Sequence, residues 1–256
     1  MKTLFRRPGV AGLLFAQSQV AFTDNASKFV LIGLVQILLP RETANPLVSA
    51  IALLLVAPFV LFAPLAGWLA DRFPKRHVLA ACLWLQLGVA VTLLAAMTLH
   101  SLPLAVGGFF LLGIQSALMS PARRGMVREL AGDSVGEMVG WMEMLCIAAV
   151  LAGGLAGGQM IDGLTGWLGG SSPDAWTAGA VSLAVLVGGC VAALAGFRRV
   201  PVRPACARTP FRFRMLAGHW DLLKTLRRDR GIWRAALGDG VFYFLGGVLL
   251  LTLAEV

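Results

Sequence analysis

Asp24 and Lys28 stand four residues apart in the string Phe22-Thr23-Asp24-Asn25-Ala26-Ser27-Lys28, a polar insertion in a long apolar run. Four residues is about one helical turn, so the acid and the base share a face and lie within reach of each other. Ionisable side chains at membrane depth are costly and are kept where they pair, line a watery cavity or carry a proton. Two readings stay open on this spacing: a salt bridge that only neutralises both groups, or a substrate or proton site. Glu143 is a further carboxylate inside an apolar sequence, in Gly140-Trp141-Met142-Glu143, and Arg123 follows Ser120-Pro121-Ala122 at the end of another apolar run. The first, fourth and fifth helices can bring Asp24, Arg123 and Glu143 toward one cavity, or leave Arg123 at its cytoplasmic mouth.

Other chemistries lack their residues. Cys82, Cys146 and Cys190 fall inside apolar runs and Cys206 in a basic loop, with no CxxC or His-paired spacing for a metal or a redox pair. His77, His100 and His219 are scattered, with no nucleophile beside them to make a triad. The expectation is therefore a protein that is not an enzyme, with no cofactor and no metal.

The elements that position these residues follow from composition. Of 256 residues, 58% are hydrophobic and 14% charged, with a mean hydropathy of +0.79. Soluble domains carry about a quarter charged residues. The net charge of +9 does not point to nucleic acid, because no folded polar domain is present to carry a binding surface. Apolar runs near the roughly 20 residues that cross a bilayer recur along the chain, and each must be helical because lipid cannot satisfy free backbone groups. Spans are expected at residues 10–38, 47–70, 77–99, 102–121, 138–161, 176–197 and 235–254. The start, Met1-Lys2-Thr3-Leu4-Phe5-Arg6-Arg7, has the outline of a secretion signal, but the apolar pattern resumes beyond Asp24-Asn25 and a bundle follows. Pro40, Pro74, Pro103 and Pro173 fall at or near the joints.

Lys and Arg placement sets the orientation. Lys2, Arg6 and Arg7 precede the first span, Arg72, Lys75 and Arg76 lie between the second and third, and Arg123, Arg124 and Arg128 between the fourth and fifth. The alternate connections are nearly bare, and the largest basic block runs from Arg198 to Arg234. The amino terminus and this block are expected in the cytoplasm. The chain divides into a six-helix bundle over 1–199, a basic central loop over 200–234 and, over 235–256, the first helix of a second bundle, which suggests a truncated reading frame or fragment whose partner is a missing six-helix half. In the loop, Phe213, Leu216, Trp220, Leu223 and Leu226 recur at steps of three or four, as in an amphipathic helix on an anionic leaflet or a solvated basic linker.

The connection Gly67-Trp68-Leu69-Ala70-Asp71-Arg72-Phe73-Pro74-Lys75-Arg76 resembles the signature of the major facilitator superfamily: a Gly, three residues, Asp-Arg, then a basic pair in a tight turn. Gly67 permits close helix contact, and Asp71 can meet a cation or a helix amino terminus. The resemblance implies an all-α membrane protein, a six-helix bundle of the major facilitator fold plus the first helix of the second half. It further implies that Gly67, Asp71, Arg72, Lys75 and Arg76 form a conformational latch whose Asp engages the other half. Gly153, Gly154, Gly157 and Gly158 in the fifth span make overlapping small-xxx-small patterns for helix packing. The superfamily motif in that helix usually includes a Pro and is associated with antiporters; its absence argues against a drug antiporter.

The Asp24-Asn25, Ser120–Arg123 and Gly140–Glu143 strings together resemble the lysophospholipid transporter branch of that superfamily. The resemblance covers nearly all of this chain and about half of a family member. It implies passage of lysophospholipids, chiefly lysophosphatidylethanolamine, across the bacterial inner membrane, with membrane lipids as surroundings. Lys28 matches only part of that branch, especially members fused to acyltransferase domains. A zwitterionic headgroup needs an anion for its ammonium and a cation for its phosphate; Asp24 or Glu143 with Lys28 or Arg123 supplies both, and Asn25 adds neutral hydrogen bonds. The competing expectations are a proton-coupled exporter of a small solute or drug, and the membrane domain of a fused acyltransferase.

Overall fold

The structure, a computed structural model, describes residues 2–203 and 227–253. It divides into two units, Met1–Thr209 and Pro210–Val256. The first holds a short α1 (Lys2–Phe5) and six long helices: α2 (Val10–Leu38), α3 (Arg41–Arg72), α4 (Lys75–Thr98), α5 (Leu102–Ala131), α6 (Val135–Leu168) and α7 (Ser172–Phe197). The second holds α8 (Arg230–Leu253). No strand occurs among the described residues. The proposed amphipathic helix over 213–226 lies outside them.

Among the described residues, α2, α4, the stretch Leu102–Leu168 and α7 are long and apolar enough to cross a membrane. Their starts follow local chemistry. Pro40 and Pro74 are the N-cap residues of α3 and α4, where a fixed φ and a missing N–H cost nothing. Ser171 and Asp174 form a capping box at the start of α7. In the second unit, the Asp229 carboxylate accepts from the Gly231 and Ile232 amides and caps α8.

The fourth span differs from the expectation of 102–121. Pro121 sits inside α5, which continues ten residues to Ala131. A proline lacks the N–H that would reach the Ala117 carbonyl, but within a packed membrane bundle such a loss is tolerated. α6 likewise runs beyond 161, to Leu168. Only the three-residue turn Gly132–Ser134 separates α5 from α6, and Gly132 turns the corner with a φ of +55°.

α2 packs chiefly on α6 and α7, α5 on α3 and α4, and α4 on α7. Exchanging the first three long helices for the last three maps these pairings onto one another, with α2 and α5 running in opposite directions, the mark of an inverted internal repeat. Trp84, Leu61, Leu151 and Leu155 are more than 60% exposed, an outward apolar surface suited to lipid. In lipid the helices must be held by close packing. α6 approaches α2 at glycines: a Cβ on Gly153 or Gly157 would collide with the backbone of Phe22 or Ala26.

One end of this unit is stapled by basic side chains. The Arg7 guanidinium donates to the Leu130 and Ala131 carbonyls at the end of α5. Lys75 Nζ pairs with Glu129 at 2.6 Å, and Arg76 donates to the Val200 carbonyl at 2.6 Å and the Arg198 carbonyl at 3.4 Å. The amino terminus, the α3–α4 turn, the α5 end and the segment after α7 therefore gather at the same end. Cations stabilise helix carboxyl termini by about 0.3–1 kcal/mol. Arg7→Ala is expected to destabilise the detergent-solubilised protein by an amount of that order, read as a lower melting temperature, and Arg7→Lys by less. An unchanged Arg7→Ala melt would show that the α5 carbonyls need no side-chain partner.

Candidate functional site

Asp24 is the centre of the buried polar groups. It sits midway along α2 and is 8% exposed. Its Oδ1 accepts from Gln86 Nε2 of α4 at 3.4 Å, and its Oδ2 accepts from Ser116 Oγ of α5. Three helices thus meet on one carboxylate. Ser116 also reaches Gln115 Oε1 at 3.1 Å, whose amide donates to the Cys82 carbonyl at 3.1 Å. Buried hydrogen bonds to a charged acceptor are among the strong ones, and the one Ser116 proton serves Asp24 or Gln115 at a time.

Lys28 does not pair with Asp24. Its ammonium lies over the Phe29 ring, 4.8 Å from the centroid, while the Asp24 carboxylate is drawn to α4 and α5 by the donors there. A shared helical face makes a pair reachable; neutral donors on the neighbouring helices decide where the carboxylate turns. The Asn25 amide donates one N–H back to the Ala21 carbonyl of its own helix at 2.9 Å.

Arg123 and Glu143 approach the same region to different degrees. The Arg123 charge acts on Asp24, and Arg123, Glu143 and Asp24 all act electrostatically on Cys146 of α6. Arg123 is half-buried and its Nε, enclosed, has no hydrogen-bond partner among the described residues. Gln17, whose amide donates to the Met142 carbonyl at 3.3 Å, has an oxygen without a partner among the described residues. Glu143 is exposed on α6, beside the face bearing Gly153 and Gly157 that meets α2.

In the Gly67–Arg76 connection, Asp71 and Arg72 are exposed, while Lys75 and Arg76 make the contacts with Glu129, Val200 and Arg198. The Lys75 stem lies across Gly125, 2.5 Å from where a Cβ would stand. A Cβ on Gly67 would meet nothing within 4 Å among the described residues, and the same is true of Gly158. Gly154 faces the Phe29 ring.

The profile of the Major Facilitator Superfamily matches residues 14–255. The chain belongs to the major facilitator superfamily. Among curated relatives of this major facilitator, the lysophospholipid transporter LplT of Klebsiella pneumoniae is 30% identical over 246 residues, 94% of this chain and 56% of that protein. The protein of the same name from Salmonella paratyphi B is 34% identical over 155 residues, 60% of this chain and 36% of that one. The chain spans about half the length of the first of these relatives. Among solved structures, the POT family transporter PepTSo has the same fold, with a TM-score of 0.58 at 17% identity over 79% of this chain and 40% of that one. The inverted repeat seen in the pairing of α2–α4 with α5–α7 is the one nested within each half of major facilitators.

Sequence reasoning passed over Gln86, Ser116 and Gln17. The signal for the first two was a polar residue alone in an apolar run, in Leu83-Trp84-Leu85-Gln86-Leu87 and Gly113-Ile114-Gln115-Ser116-Ala117. Such residues in spans face the bundle interior as a rule.

Proposed function

We propose that this chain forms the amino-terminal, headgroup-binding half of a lysophospholipid transporter that works by alternating access, with its amino terminus in the cytoplasm and the bacterial inner membrane as its site. One observation carries the reading. A carboxylate enclosed by α2, α4 and α5 stands in the field of a guanidinium whose Nε has no partner among the described residues, and a zwitterionic headgroup needs both charges. The ammonium would go to Asp24 or Glu143 and the phosphate to Lys28 or Arg123, with Asn25 adding a hydrogen bond through its second N–H or its oxygen. The similarity to transporters named for lysophospholipids supports the substrate class, and no enzymatic step is assigned to the chain. Asp71 and Arg72 would be the free members of the latch, engaging the second half, while Lys75 and Arg76 bind the first.

Uptake of radiolabelled lysophosphatidylethanolamine by cells producing the protein from its complete gene tests this. Accumulation well above a vector control is expected. No accumulation, together with protonophore-sensitive expulsion of a cationic dye, would replace the reading with that of a proton-coupled exporter. Sequencing the gene on both sides of the present chain shows whether an acyltransferase domain accompanies it.

A further inference from the structure

Lys28 is 8% exposed on α2, and its ammonium has neither a hydrogen bond nor an ion pair among the described residues. It lies instead over the Phe29 ring. An enclosed ammonium without a counter-ion is an expensive feature in a membrane bundle, and an aromatic face offsets only part of that cost. The nearest carboxylate along the helix does not pair with it: Asp24 turns to Gln86 and Ser116 and stands in the field of Arg123. Arg123 and Lys28 lie on opposite sides of Asp24. On α5, Arg123 is seven residues past Ser116 toward the stapled end, whereas on α2 Lys28 is four residues past Asp24 away from that end.

We infer that Lys28 is the specificity-determining residue for a phosphorylated headgroup, receiving the phosphate while Asp24, one turn nearer the stapled end, receives the amine. This rests on the lysophospholipid reading and narrows it. Four residues of helix separate the two groups by about 6 Å along the axis, a span that the two-carbon link between phosphate and amine in an ethanolamine headgroup can follow. The phosphate supplies the counter-charge that the protein does not. An unphosphorylated monoacylglycerol leaves Lys28 as it was, so the site should discriminate against it.

The experiment uses the complete protein and two lipids of one acyl chain, lysophosphatidic acid and monoacylglycerol. As competitors of labelled lysophosphatidylethanolamine uptake, the phosphorylated lipid is expected to be at least about tenfold the more potent. Lys28→Met should bring the two within about threefold and Lys28→Arg should keep the preference. The same lipids are read by melting temperature in detergent, where lysophosphatidic acid should raise the wild-type melt and leave Lys28→Met unmoved. Should Lys28→Met not fold, Lys28→Gln takes its place in both assays. A variant lacking the cation that still prefers the phosphorylated lipid overturns the inference and leaves the transporter reading standing. A melt that rises with lysophosphatidic acid only when Lys28 is present, in a protein that takes up no lysophosphatidylethanolamine, upholds the site and sinks the transporter reading.

Discussion

Gly157→Ala should lower the melting temperature of the bundle markedly, while Gly158→Ala, one residue on, should leave it unchanged or raise it slightly. The Cβ introduced at 157 would stand 2.8 Å from the Ala26 Cα and closer still to its carbonyl oxygen, both backbone atoms of α2. A flexible side chain could swing aside; a helix backbone cannot, so α2 and α6 must separate. Overpacking of this kind costs about 1–3 kcal/mol, and here the loss extends along the interface, because Gly153 against Phe22 depends on the same approach. At 158 a Cβ meets nothing within 4 Å among the described residues, so the helix preference of Ala over Gly remains, worth about 0.5–1 kcal/mol in favour of Ala. Thermal unfolding of the two variants, followed by size-exclusion chromatography in detergent, is the measurement. Equal melts would mean that α6 does not touch α2 through Gly157.

Asp24→Asn should reduce lysophosphatidylethanolamine uptake by roughly 10–100-fold with the protein still folded. Hydrogen bonds to charged groups contribute about 1.5–3 kcal/mol, and each 1.4 kcal/mol is about tenfold in affinity. The amide keeps the shape of the carboxylate but removes its charge and offers a donor where Gln86 or Ser116 already donates. Ser116→Ala should give a smaller loss, and in the Asp24→Asn background it should add almost nothing, since the bond it removes is already impaired. Additive losses in uptake from the two substitutions would show that Ser116 does not act through Asp24. Glu143→Gln should cost less than Asp24→Asn, because Glu143 is exposed and Asp24 is enclosed by three helices.

How much of this was legible beforehand depends on the range of the interaction. Helix α2 falls at 10–38, as its apolar run indicates, and the joints at Pro40 and Pro74 follow from proline chemistry. The end of the fourth span did not follow from Pro121, because tolerance of a proline depends on what packs around it. Gly153 and Gly158 look alike in a small-xxx-small pattern, but only one of them faces α2. The pattern counts residues along one helix, and the rotation of that helix against its partner is set by every other contact in the bundle.

The same distinction divides the site. Sequence by itself determined an all-α membrane chain, its superfamily, the charge asymmetry of its ends and the presence of Asp24, Lys28, Arg123 and Glu143, because hydropathy, charge placement and short motifs are properties of a linear string. Tertiary structure alone decided that Asp24 turns to Gln86 and Ser116 rather than to Lys28, and that Glu143 is exposed while Asp24 is enclosed. The physical reason is that a carboxylate goes to the donors that surround it in space, and here they arrive on α4 and α5, 62 and 92 residues away along the chain.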